Sequence, residues 1–135
     1  MKRPLWVRQD VVLAVQEQLL AIFGGASGVR DTGLLGSALA RPENRFAYER
    51  AAITIFDLAA AYAFGLGKKH PFVDGNKRIA FATAIMFLEL NGYRFEADEA
   101  DAVVRTLGLA AGELKEHEYA LWLKAHSKRT RRNRS

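Results

Sequence analysis

Cysteine is missing from this chain of 135 residues, which excludes disulfides and thiolate metal sites outright. Long hydrophobic runs are missing too. The longest, residues 79–88, is interrupted by Thr83 and falls far short of the ~20 residues that cross a bilayer. Residues 1–10 lack the apolar stretch of a signal peptide, so a cytoplasmic protein without membrane attachment is expected. No stretch of alternating polarity is long enough for a sheet, and no repeat or low-complexity segment occurs before the basic end. The Gly-x-x-x-x-Gly-Lys-Ser/Thr pattern of a P-loop is absent. A zinc hydrolase would need three protein ligands, yet His117 and His126 lie nine residues apart without paired spacing. They are read as solvated side chains. What remains is one domain, long enough to bury a core without staples.

The net charge of +5 is unevenly placed. Lys124, Lys128, Arg129, Arg131, Arg132 and Arg134 put six positive charges into the last twelve residues, leaving 14 basic against 15 acidic side chains elsewhere. Clustered arginines suit phosphate contacts, but no aromatic residue follows Trp122 to stack on bases. The end reads as a disordered, solvated tail. Nucleic acid is not an expected partner beyond weak contact with that tail.

Hydrophobic periodicity predicts helices throughout. Val11, Val12, Val15, Leu19, Ile22 and Phe23 recur at helical spacing, giving an amphipathic first helix that Gly24 and Gly25 stop. Residues 34–40 predict a short second helix, and residues 41–46, with Pro42 and Asn44, an irregular connector. Residues 48–66 are apolar almost all round, with Asp57 the only acid between Glu49 and residue 70, and predict a buried central helix. Tyr48, at its start, is expected to pack with its hydroxyl at the rim. Residues 79–90 form a second buried helix ended by Asn91 and Gly92. Two further helices, 98–107 and 113–126, are separated by Gly108 and Gly112, and residues 93–96 read as a brief extended piece. The expected fold is all-α with about six helices: one domain over residues 1–126 and a tail over 127–135.

The chemistry concentrates in His70-Pro71-Phe72-Val73-Asp74-Gly75-Asn76-Lys77-Arg78. Pro71 ends the preceding helix, and the loop then enters an apolar helix. Such a helix start exposes unpaired N–H groups and the positive end of the dipole, a ready anion site. An imidazole, with an intrinsic pKa near ~6.5, takes a proton from a hydroxyl near neutral pH. That is the expected role of His70. Asp74 is a hard oxygen ligand suited to Mg²⁺. Gly75 permits a tight turn, so the N–H groups of Gly75, Asn76 and Lys77 can cradle phosphate oxygens, while Asn76 also reads as a helix cap. Arg78 can grip an oxygen pair and Lys77 adds a mobile point charge. Asp-Gly-Asn alone is a routine turn, but a plain turn needs neither that histidine nor paired cations after the cap.

This nonapeptide resembles the core motif of the Fic/Doc superfamily, whose adenylylating Fic members carry His-x-Phe-x-(Asp/Glu)-Gly-Asn-Gly-Arg-x-x-Arg. Lys77 stands where that pattern has its second glycine, and Phe81 where it has the final arginine. Lysine there is similar to the Doc branch, the toxins of death-on-curing modules. Phe23-Gly24-Gly25, Gly28-Val29-Arg30-Asp31, Gly33-Leu34-Leu35, residues 38–42, Tyr48, Leu58-Ala59-Ala60 and Asn91-Gly92 extend the likeness over roughly residues 5–123. Gln16 departs from it, standing where many relatives place a histidine.

The resemblance implies a Fido-type bundle and a kinase that uses ATP and Mg²⁺. With Lys77 crowding the α-phosphate, the nucleotide is inverted and its γ-phosphoryl group passes to a hydroxyl of elongation factor Tu, stopping translation. Implied catalytic residues are His70, Asp74, Lys77 and Arg78, nucleotide-binding residues Gly75, Asn76, Lys77 and Arg78, and metal ligand Asp74. Nucleotidyl transfer and a non-catalytic nucleotide- or partner-binding module are the alternatives. Self-inhibited Fic proteins resemble one another in a Ser/Thr-x-x-x-Glu-Gly/Asn helix. Here the only glutamate followed by Gly or Asn is Glu43, with Leu39 four residues before it. The likeness therefore implies a separate Phd-type antitoxin, folding as a helix into a groove near the first helices and residues 41–48.

Overall fold

The computed structural model describes residues 1–130. Six helices carry the fold: α1 (Gln9–Phe23), α2 (Thr32–Glu49), α3 (Ile55–Lys69), α4 (Asn76–Leu90), α5 (Glu99–Ala111) and α6 (Glu116–Ala125). The expected all-α bundle is therefore observed, with one small addition. Strand β1 (Tyr93–Phe95) pairs antiparallel with β2 (Ser127–Arg129), setting Arg94 opposite Lys128. The basic end expected to be disordered from residue 127 thus begins with a strand, because β1 offers it unpaired backbone groups. Residues 131–135 of that expected tail lie outside the described residues.

Helix α3 is the axis of the molecule and packs on α2, α4, α5 and α6. Its burial runs all round, from Phe56 and Leu58 to Tyr62 and Leu66, as a helix without a polar face requires. Small residues let its neighbours come close: a Cβ on Gly65 would stand 3.1 Å from the Ala38 Cα of α2. The extended amino-terminal segment is tied down at two points. Asn91 exchanges two hydrogen bonds with the Leu5 backbone, at 2.8 and 2.9 Å, and the Val7 N–H donates to the buried Tyr62 hydroxyl at 3.0 Å. Trp6 then stacks on Phe87 and meets Phe46 edge-on.

Two expected boundaries moved. The connector predicted over 41–46 does not exist, since α2 continues through Pro42 to Glu49. Proline inside a helix costs ~3 kcal/mol through its lost N–H and its clash. Here Pro42 belongs to a buried stripe with Leu35, Ala38, Leu39 and Phe46, and that burial outweighs the local cost. The central helix starts at Ile55 rather than residue 48, because Thr54 and Asp57 form a reciprocal capping box. Tyr48 consequently ends α2 and does not pack: it is 89% exposed. His126 is half-buried, stacked near Phe95 and Trp122, and is not the solvated side chain expected; His117 is exposed.

Candidate active site

The loop between α3 and α4 is short because both helices end where their residues require. Helix α3 stops at Lys69, and His70 caps it in the left-handed region at φ 52°, the only non-glycine residue with positive φ among those described. A histidine held there is strained by roughly 1–3 kcal/mol and persists only where its surroundings enforce it. Arg30 does so: its guanidinium donates to the carbonyls of His70 (2.8 Å) and Lys69 (2.9 Å), covering the orphan acceptors of the helix end. The backbone around Arg30 continues the clamp. The N–H groups of Arg30 and Asp31 donate to the Pro71 carbonyl, the Val73 N–H donates to the Gly28 carbonyl, and Val29 bridges Phe72.

Within the loop, Phe72 points into the core at 2% exposure. Its N–H donates to the Asn76 Oδ1 at 2.9 Å, and its carbonyl accepts from the Asn76 Nδ2 at 3.0 Å. Asn76 therefore closes the loop on itself with a two-bond clasp. It was expected to cap the helix; instead Gly75, at φ 74°, is the cap residue and supplies no side chain. The Asp74 carbonyl accepts from the buried Gln16 Nε2 of α1 at 2.7 Å. Gly75 sits so close that a Cβ there would lie 3.4 Å from that nitrogen.

These contacts leave the start of α4 bare. Among the described residues the backbone N–H groups of Asn76, Lys77 and Arg78 have no hydrogen-bond partner, and the first loop-to-helix bond runs from Ile79 to Gly75. Lys77 and Arg78 are exposed in that first turn, without an ion pair among the described residues. Positive side chains at a helix start oppose the dipole, by about 0.3–1 kcal/mol each. Bare donors and uncompensated cations together describe a site shaped for a polyanion. Arg78 is held in place by the Phe23 ring, 4.2 Å from its guanidinium carbon.

His70 and Asp74 flank that site, and both are exposed. Among the described residues the His70 imidazole has neither a hydrogen bond nor an ion pair, which leaves it open to an incoming hydroxyl. The Asp74 carboxylate accepts from the N–H groups of Gly75 (2.9 Å) and Ala26 (3.3 Å). It fixes the loop and keeps free lone pairs outward. No group of three or more acidic or imidazole side chains converges among the described residues. A metal held here would rest on Asp74 and complete its shell with phosphate and water, the usual habit of Mg²⁺.

A model of the Fic/DOC family matches residues 6–88. The chain belongs to this family. "Toxin Doc" of Mycolicibacterium smegmatis is 43% identical over 91 residues, covering 67% of each chain. "Protein kinase doc" of Escherichia phage P1 is 30% identical over 108 residues, covering 80% of this chain and 84% of that one. The matched segment of the Fic/DOC model runs from Trp6 into α4 and includes every residue of the site described above. Helices α5 and α6 and the strand pair lie beyond it. Phe81, where adenylylating Fic/DOC members carry arginine, turns its ring to Phe95 and Trp122 at 5.8 and 6.5 Å. That position serves packing here.

Of the expected site residues, His70, Asp74, Gly75, Asn76, Lys77 and Arg78 fall in one loop and helix start, but the Gly75 N–H, expected in the phosphate cradle with those of Asn76 and Lys77, is spent on the Asp74 carboxylate, and the Asn76 side chain holds the clasp. Sequence reasoning missed Arg30 as the clamp and Gln16 as the strut. Gln16 carried a signal: it interrupts the buried i, i+4 stripe Val12–Gln16–Leu20, where a polar residue needs a buried partner.

Proposed function

We propose that this protein is the toxin of a toxin–antitoxin module and acts as a protein kinase, moving the γ-phosphoryl group of ATP to a hydroxyl on a protein acceptor. The observation that carries the reading is the bare start of α4 with Lys77 and Arg78 at its mouth. By family likeness the acceptor is elongation factor Tu, and the consequence is arrested translation. The name of the phage P1 relative supports phosphoryl transfer in this family.

In this mechanism the terminal phosphate lies against the N–H groups of Asn76, Lys77 and Arg78. Arg78 takes oxygens as a planar fork, and Lys77 adds charge where a glycine would admit the α-phosphate instead. His70 removes the proton of the acceptor hydroxyl as its oxygen forms the new bond to γ-phosphorus. The bond from γ-phosphorus to the bridging oxygen breaks and ADP leaves. Mg²⁺ bound on Asp74 would supply charge neutralisation for the phosphates. The remaining contribution is positioning, the usual source of rate in phosphoryl transfer, and the strained, clamped backbone of His70 provides it.

ATP labelled at the α or the γ position, incubated with the protein and elongation factor Tu, tests this directly. Label is expected on the acceptor from the γ position only. His70→Ala should abolish transfer while leaving nucleotide binding within a few-fold, whereas Asp74→Ala should weaken metal-dependent binding. Acceptor carrying α-label would establish nucleotidyl transfer instead. Nucleotide binding without any transfer would leave a binding module. By the same family likeness, control is assigned to a small Phd-type antitoxin. Expression alone should arrest growth, and coexpression of the neighbouring small open reading frame should relieve the arrest.

A further inference from the structure

Between α2 and the end of α3 lies a second polar hollow, separate from the α4 helix start, with a volume of about 250 Å³. Its walls include Arg41, Arg45, Tyr48 and Lys69, and their hydrogen bonds show a surplus of donors. Arg45 is spent: it donates to both oxygens of Glu49 and to Glu116. Those carboxylates, Glu49 first, hold its ionisation above the ordinary arginine range. Arg45 is a strut. Arg41 is only part-used: its Nη2 pairs with Glu116 and its guanidinium lies over the Phe64 ring, while its Nη1 makes no hydrogen bond among the described residues; its Nε is buried without a partner. Lys69 donates to a neutral hydroxyl, the Ser37 Oγ at 3.0 Å, and has no carboxylate within ion-pair distance among the described residues. Tyr48 stands beside them almost entirely in solvent, with no hydrogen-bond partner for its hydroxyl among the described residues.

An ammonium with two free N–H donors, a part-used guanidinium and an exposed phenol form the kind of surface that interfaces favour, where tyrosine and arginine are enriched and lysine usually is not. A lysine there suits an anion. The hollow is sized for one carboxylate-bearing side chain, and Lys69 is the residue immediately before His70. We infer that this hollow is a docking pocket for an acidic segment of the protein acceptor, holding it by a carboxylate on Lys69 and Arg41 while Tyr48 packs against its backbone. The inference rests on the reading of the chain as a protein-modifying enzyme. It adds what that reading lacks, a means of choosing the acceptor.

Fluorescein-labelled hexaglutamate, with hexaglutamine as control, tests the pocket on the full chain by anisotropy at low salt, where exposed charge pairs are least screened. Hexaglutamate is expected to bind and hexaglutamine not. Lys69→Glu should weaken binding at least tenfold and Tyr48→Ala several-fold, each with an unchanged melting profile, and ATP should not displace the peptide. Equal binding by the wild type and Lys69→Glu would overturn the proposal, and so would displacement by ATP. A second arm measures transfer of γ-label to elongation factor Tu. There Lys69→Glu should raise the KM for acceptor about tenfold, leaving kcat and the KM for ATP within twofold; an unchanged acceptor KM counts against the pocket. If the wild type moves no γ-label, the kinase reading fails and the peptide arm alone decides the pocket.

Discussion

Asn76 gives its amide oxygen and one amide N–H to the two backbone groups of Phe72, and in doing so decides the shape of the loop before α4. Phe72 is buried, so removing the clasp strands an N–H and a carbonyl away from water, at about 1–3 kcal/mol each. Asn76→Ala is therefore expected to destabilise the protein by about 2–4 kcal/mol, read as a lower urea midpoint at unchanged slope. Any loss of nucleotide binding in that variant is expected to come through the loop, whose shape the clasp sets. His70 shows the same economy. Its backbone strain is held by Arg30 and by Pro71 pairing, while its imidazole is left free, which divides the fixed part of the residue from the working part.

At the scale of elements, α4 carries two jobs on one helix: its first turn presents bare N–H groups with Lys77 and Arg78, and the next turn faces the core. Phe81 lies one turn beyond Arg78 and joins Phe95 and Trp122, so the arginine of the adenylylating pattern has no room here without breaking that cluster. Phe81→Arg is expected to cost about 1–3 kcal/mol through the lost aromatic burial, lowering the melting temperature. Joined to Lys77→Gly it should yield poor adenylyl transfer at best, measured with α-labelled ATP. The clamp on the loop comes from the opposite side, from α1 through Gln16 and from the segment before α2 through Gly28 and Arg30. The site is thus assembled by three elements around one loop.

For the whole molecule, the burial of two phenols around α3 predicts how stability responds to base. Burial pushes Tyr62 up to about 12, eased by its bond from the Val7 N–H, and raises Tyr119 as well, eased by Thr106. A group whose pKa is raised on folding contributes stability that is complete below its unfolded value, near ~10 for tyrosine. That stability is lost as pH climbs through the folded value. Stability should therefore hold to about pH 10 and fall between about 10 and 12, with Tyr62 accounting for about 2–3 kcal/mol. Urea unfolding at pH 8, 10 and 11 checks this, and Tyr62→Phe should flatten the decline while lowering stability at neutral pH, because the Val7 N–H loses its acceptor.

The residues alone determined the helical class, the two buried helices on either side of the loop and the grouping of His70, Asp74, Gly75, Lys77 and Arg78 in that loop and the helix start after it. These features are local. Helical periodicity, the Pro71 break and the Gly75 turn act within a few neighbours, so their consequences can be read along the chain. Tertiary structure alone decided that α2 runs through Pro42, since only burial against α3 offsets the proline. It also decided that Arg30 and Gln16 hold the loop, because their partners lie 40 and 58 residues away. The polar hollow beside Lys69 belongs to the same class: α2 and α3 make it only by approaching closely at Ala38 and Gly65. Contacts across such separations leave at most a polar break in a buried stripe, as at Gln16, and their partners are revealed only once the chain is folded.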